Sequence, residues 1–147
     1  MDTYRAAVDP LTHLTLVGLS HKSGAALAVR ERLAILPMGR VFEALKGEGV
    51  SEAVVLSTCN RFEVYMCGEG CRPGDWAREL LERIAGVPID AAAYTEVDGN
   101  AVKHLFSVAA GLDSLVVGET EILGQVKNAY EQAKAAGMTG KRCNVLF

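Results

Sequence analysis

A chain of 147 residues, half of them hydrophobic but only 6% aromatic, is long enough to bury one aliphatic core and too short to add a complete nucleotide-binding domain. No run approaches the roughly 20 apolar residues of a membrane span, and the N-terminal MDTYRAAVDP lacks the apolar stretch of a secretory leader, so a cytoplasmic protein with no membrane contact is expected. The formal charge of −3 argues against a broad phosphate-binding surface, because nonspecific nucleic-acid affinity comes from displaced counterions; any RNA contact must be local, with the basic stretch from His21-Lys22 through Arg30 and Arg32 as a candidate and a solvated helix face as the plainer explanation.

Thr12 to Leu19 is rich in β-formers and stops at the polar Ser20-His21-Lys22-Ser23-Gly24, which predicts a strand and then a loop. Two helices are expected over 26–35 and 37–47, the second opening with Pro37 in its first turn and placing Val41, Phe42 and Leu45 on one face. Ala53 to Leu56 is a continuous apolar run, and Phe62, Val64 and Met66 alternate with Glu63 and Tyr65. Two strands therefore flank Ser57-Thr58-Cys59-Asn60-Arg61, and a hairpin-like reversal puts Cys59 near its tip. The segment CGEGCRPGD reads as a loop, followed by a helix over 75–84 with Asp75 as N-cap. A strand at 93–97 precedes helices at 100–110 and 119–136, the last carrying the stripe Ile122, Val126, Ala129, Tyr130 and Ala133 and ending at Gly137. Strands interleaved with helices and one antiparallel pair imply an α+β fold rather than a doubly wound parallel sheet. The chain stops inside the apolar run Cys143-Asn144-Val145-Leu146-Phe147, from which a piece of a longer protein is expected.

The cysteines at 59, 67, 71 and 143, with no secretory signal, are expected to be reduced thiols. Only a thiolate attacks, so a reactive cysteine needs a cation beside it and some exposure. Arg61 and the turn could supply these to Cys59, and Asn60 tolerates left-handed turn conformations; the competing reading of Cys59 is a small core hydrophobe. His104 shares a helical face with Ala101, Leu105, Val108 and Leu112, where a histidine is more often a hydrogen-bonded core residue than a catalyst. Gly118 to Gln125 opens a helix with acids in its first turn, which the helix dipole favours whatever the function. Cys67-x3-Cys71 has no second pair with ligand spacing, so no metal is expected. No GxGxxG stands between a strand and a helix, so no nucleotide cofactor is expected to bind this chain.

Together, GLSHKSGAALAVRERLAI, VVLSTCNRFEVY and HLFSVAAGLDSLVVGETEILGQVKNAYEQA closely resemble the N-terminal catalytic domain of the glutamyl-tRNA reductase family, over about residue 12 to the end. The resemblance implies a ferredoxin-like antiparallel sheet packed with helices, with additional C-terminal helices. It makes residues 1–147 one glutamyl-tRNA-binding catalytic domain, with a connecting helix starting near 140–147 and the NADPH-binding and dimerisation domains outside the chain. It further implies an oxidoreductase that opens tetrapyrrole (porphyrin, haem) biosynthesis, a homodimeric full-length protein, and glutamate-1-semialdehyde aminomutase as a partner.

By the same resemblance Cys59 is the thiol that takes the glutamyl group from glutamyl-tRNA as a thioester, which hydride from NADPH reduces to glutamate-1-semialdehyde. Thr58, Asn60 and Arg61 match the substrate-contacting motif, Ser114, Glu119, Thr120, Glu121 and Gln125 its second segment, and His104 the histidine needed for full activity. Two departures stand out: Ser23-Gly24-Ala25 where many members have Ala-Pro, and Glu121 where many have glutamine. A glutamyl ester keeps a side-chain carboxylate and an ammonium. Arg61 suits the first through its planar fork, and Glu119 is the candidate for the second. Without the NADPH domain the chain is expected to be at most an esterase. The alternative is a noncatalytic RNA-binding or regulatory module of the same fold.

Overall fold

The computed structural model describes residues 14–22, 27–68, 75–89, 93–112 and 121–147. In chain order the elements are β1 (Leu14–Ser20), α1 (Leu27–Ala34), α2 (Met38–Gly47), β2 (Glu52–Ser57), β3 (Arg61–Cys67), α3 (Asp75–Ala85), β4 (Tyr94–Val97), α4 (Asp98–Ala109), α5 (Glu121–Ala135) and α6 (Lys141–Leu146). The four strands form one sheet in the order β2-β3-β1-β4, with each neighbouring pair antiparallel. This is the ferredoxin-like α+β arrangement that the resemblance implies: helical connections after β1 and after β3 let those two strands lie side by side at the centre.

Every residue of β1 and β3 is buried, and because successive strand side chains point to opposite faces, both faces of the sheet must be covered. The register pairs Ser20 with Arg61, Gly18 with Glu63 and Tyr94, Leu16 with Tyr65, and Leu14 with Cys67, so these residues share one face. α4 and α6 cover it, since His104 bonds Glu63, Cys143 meets Cys67 and Phe147 packs edge-on against Tyr65. The opposite face, with Thr15, Val17, Leu19, Phe62, Val64 and Met66, is left to α1, α2 and α3. Val41, Phe42 and Leu45 of α2 are buried as their spacing predicts, as are Ile122, Val126, Ala129 and Ala133 of α5, which Gly137 ends at φ 73°.

The helix starts depart from the sequence reading in three places. Pro37 is the N-cap of α2, with ψ 132°, one position before the first turn, because its fixed φ is as compatible with an extended cap as with a helix. α4 begins at Asp98, directly after β4 and two residues before the expected start; Asp98 has φ 48°, and its carboxylate accepts the Leu14 backbone N–H at 3.0 Å. That bond ties the start of β1 to the strand–helix corner and supports the unusual backbone. Asp75 lies in the first turn of α3, its carboxylate accepting from Arg78 at 2.9 Å. The apolar stripe read along α4 also overreaches, since Leu112 is exposed. No described helix is long and apolar enough to cross a membrane.

Candidate active site

Cys59 and Asn60 are the two central residues of the reversal between β2 and β3. Thr58 locks that reversal: its N–H donates to the Arg61 carbonyl at 2.9 Å, and its hydroxyl accepts from the backbone N–H of both Asn60 and Arg61 at 3.2 Å. A threonine hydroxyl serving two turn amides is the side-chain device that makes a tight turn without glycine. Asp98 is the one non-glycine residue with positive φ among the described residues, so Asn60 does not use the left-handed conformation open to its residue type. A further clamp comes from the end of β1, where the His21 N–H donates to the Asn60 carbonyl at 3.0 Å. The loop is therefore rigid, and Cys59 is exposed on it.

Thr58, Cys59, Asn60 and Arg61 line a cleft of about 70 Å³ with Glu121, Ile122 and Gln125 from the first turns of α5. Six of the residues singled out in the sequence, from two segments about sixty positions apart, thus meet at one opening. The positive end of the α5 dipole lies along it. Ser114, Glu119 and Thr120, together with Gly24 and Ala25, lie outside the described residues.

Beneath the cleft is a buried polar cluster centred on Glu63. This carboxylate is 0% exposed; it accepts from Arg61 at 3.1 Å, from the Tyr65 hydroxyl at 2.8 Å, from the Tyr94 hydroxyl and from His104 Nε2 at 2.6 Å. Burial pushes the carboxyl upward, but the His104 hydrogen bond and charge, the Arg61 guanidinium and the Tyr94 hydroxyl together outweigh it and hold it below the usual carboxylate range. Burial and the adjacent carboxylate push both tyrosine hydroxyls upward, so they stay protonated and donate. Since an ionised carboxylate only accepts, His104 donates to it from a protonated Nε2. His104 is 22% exposed and lines a shallow depression with Glu96, Asn100, Lys103 and Ser107 rather than the Cys59 cleft. Its link to that cleft runs through Glu63 and Arg61.

Gly18 makes this cluster possible. A Cβ there would stand 2.8 Å from Glu63 Cγ, closer than packed atoms allow, and 3.1 Å from the Tyr94 hydroxyl oxygen, a tight contact. Sequence reasoning placed Glu63 and Tyr65 simply as the alternates of a half-buried strand. The missed signal is an acid and a tyrosine two positions apart in a strand whose partner carries a glycine opposite the acid. The other described thiols are of a different kind: Cys67 and Cys143 are both buried with sulfurs 3.6 Å apart. The contact with Cys67, burial and the Glu52 carboxylate push the Cys143 thiol far up. Cys71 lies outside the described residues, and those described hold no group of three or more metal-ligating side chains.

The family described as "Glutamyl-tRNAGlu reductase, N-terminal domain" matches residues 17–147. A glutamyl-tRNA reductase of Marinobacter nauticus is 40% identical over 143 residues, covering 91% of this chain and 32% of that protein. Glutamyl-tRNA reductase 2 of Anaeromyxobacter dehalogenans is 47% identical over 142 residues, covering 91% and 30%. Among solved structures, the glutamyl-tRNA reductase from Methanopyrus kandleri superposes with a TM-score of 0.76 at 34% identity, covering 91% of this chain and 31% of that one. The chain thus spans about a third of the length of these relatives.

Proposed function

The chain belongs to the family of glutamyl-tRNA reductase N-terminal domains, and on that premise we propose that it performs the acyl-accepting half of the reductase reaction, with Cys59 as nucleophile. The observation that carries this reading is the exposed Cys59 thiol on a clamped turn, sharing one cleft with Arg61, Glu121 and Gln125. The Cys59 thiolate attacks the ester carbonyl carbon of glutamyl-tRNA and a C–S bond forms. The tetrahedral oxyanion collapses, the C–O bond to the ribose breaks, and its electron pair leaves on the ribose oxygen, which takes up a proton. No electrons are exchanged in this step, and its products are a glutamyl thioester and free tRNA. The positive end of α5 beside the cleft favours the oxyanion formed in this step.

Arg61 receives the glutamyl side-chain carboxylate through its planar fork, which the bond to Glu63 holds in one orientation. Glu119 pairs with the substrate ammonium, while Thr58, Asn60, Ser114, Thr120, Glu121 and Gln125 shape the pocket. His104, oriented by its bond to Glu63, assists proton transfer to the leaving ribose oxygen or orients the ester through Glu63 and Arg61. Reduction of the thioester to glutamate-1-semialdehyde, which would open tetrapyrrole biosynthesis, needs NADPH. The described sheet is antiparallel throughout and has no parallel strand–helix–strand crevice of the kind that holds dinucleotides; we therefore place that cofactor on the part of the relatives that this chain does not span. Dimerisation and pairing with the aminomutase belong to that longer protein.

The test is mass spectrometry of the chain mixed with glutamyl-tRNA and no NADPH. A glutamyl adduct on Cys59, absent from Cys59→Ser with unchanged thermal stability, is the expected result. Retained RNA binding with no adduct on Cys59 would favour the noncatalytic module.

A further inference from the structure

Basic residues that the acyl chemistry above does not use stand next to the turn that carries Cys59. Arg30 of α1 reaches across from a segment 29 residues earlier, its NH1 group donating to the Cys59 carbonyl at 3.5 Å, the outer limit of a hydrogen bond. Its Nε is buried and meets no acceptor among the described residues. A guanidinium has five donors, and a buried N–H left without a partner costs stability unless something else supplies one. On the other flank, His21 is bonded to the turn through its backbone, and the next residue, Lys22, is exposed. Arg32, of the same basic stretch, is different: its Nε donates to the Ala85 carbonyl at 2.9 Å, so it joins α1 to the end of α3.

Neither Arg30 nor Lys22 lines the cleft in which Cys59, Arg61 and Gln125 meet. Whatever they bind stays outside while an acyl group enters. In an aminoacyl-RNA the group outside is the terminal nucleotide, whose phosphate lies only a few bonds from the ester. A chain of net charge −3 with Arg30 and Lys22 near its nucleophile would hold RNA locally there rather than over a broad surface. We propose that Arg30 and Lys22 bind the terminal phosphates of the aminoacyl-RNA, setting the ester over the Cys59 thiol; this rests on the acyl-transfer reading above and adds which part of the RNA is gripped and by what. Glu121 on the far wall of the cleft repels phosphate and helps keep it on the outer side.

The experiment has two readouts. Binding of non-acylated tRNA to the chain is measured against salt for wild type, Arg30→Gln, Lys22→Gln and the double variant. Each single change should flatten the slope of log affinity against log salt by about 0.7 to 0.9, one phosphate contact's worth, and the double change by about twice that. Acylation of Cys59 is then followed with glutamyl-tRNA and with a simple glutamate α-ester that carries no phosphate, and Arg30→Gln should slow the RNA ester about tenfold more than the simple ester. An unchanged salt slope, no tRNA binding by wild type, or equal slowing with both esters, meaning that Arg30 only braces the turn, each overturns the proposal. If wild type binds tRNA with the expected slopes but neither ester labels Cys59, the acyl-transfer reading fails while the phosphate contacts stand.

Discussion

Replacing Glu63 by glutamine isolates the charge at the centre of the cluster. Three donors, from Arg61, Tyr94 and His104, converge on one carboxylate oxygen, and the Tyr65 hydroxyl meets the other. A glutamine can keep its oxygen where the three converge and turn its NH2 toward the Tyr65 hydroxyl, which can accept. Shape and most hydrogen bonds survive, and the negative charge does not. Arg61 is 2% exposed and Glu63 0%, so Glu63→Gln removes one charge of a buried ion pair, a change that costs about 3–5 kcal/mol. For a chain of this size each kcal/mol moves Tm by about 2–4 °C, which predicts a fall of about 6–20 °C, read by circular dichroism or calorimetry near neutral pH. The pH dependence adds a sign. Glu63 is held below its ordinary range in the folded chain, so its contribution is fully present above the unfolded carboxyl value of about 4.3 and is lost as pH falls through the lower folded value. The gap between wild type and variant should therefore be flat down to about pH 5 and shrink in stronger acid. A gap below about 2 °C near neutrality, under the cost of one broken buried pair, or a gap indifferent to acid, would refute the reasoning.

Gly18→Ala should destabilise by about 1–3 kcal/mol, the usual cost of overpacking, because the new Cβ meets Glu63 and Tyr94 at once; a Tm equal to wild type would show that the cluster can yield. In native protein, peptide-mapped alkylation should label exposed Cys59 well before Cys67 or Cys143, which should react only as the chain unfolds. Labelling of all three at one rate would remove the distinction between a presented thiol and packed ones.

The elements were legible because each depends on neighbours in sequence. The apolar spacing of Val41, Phe42 and Leu45 and of Ile122, Val126, Ala129 and Ala133 marks helix faces that are in fact buried. The two apolar runs around Thr58 to Arg61 mark a hairpin, and the position of Cys59 on its tip follows from that local count. The strand order was reachable only through resemblance, since alternation says which face a residue takes and not which strand lies beside it.

The sequence by itself determined the α+β class, the hairpin that presents Cys59 and the residue types available to it, since periodicity, turn chemistry and motif are properties of contiguous residues. Only the tertiary structure decided that Glu121 and Gln125 share the cleft with Cys59, that Glu63 is the buried centre joining Arg61 to His104, and that Arg30 stands at the outer side of the turn. The physical reason is that burial and charge pairing depend on distance in space. The alternation of β3 left Glu63 to read as one of its outward-facing residues, and α4 then packs over that same face and turns it into core.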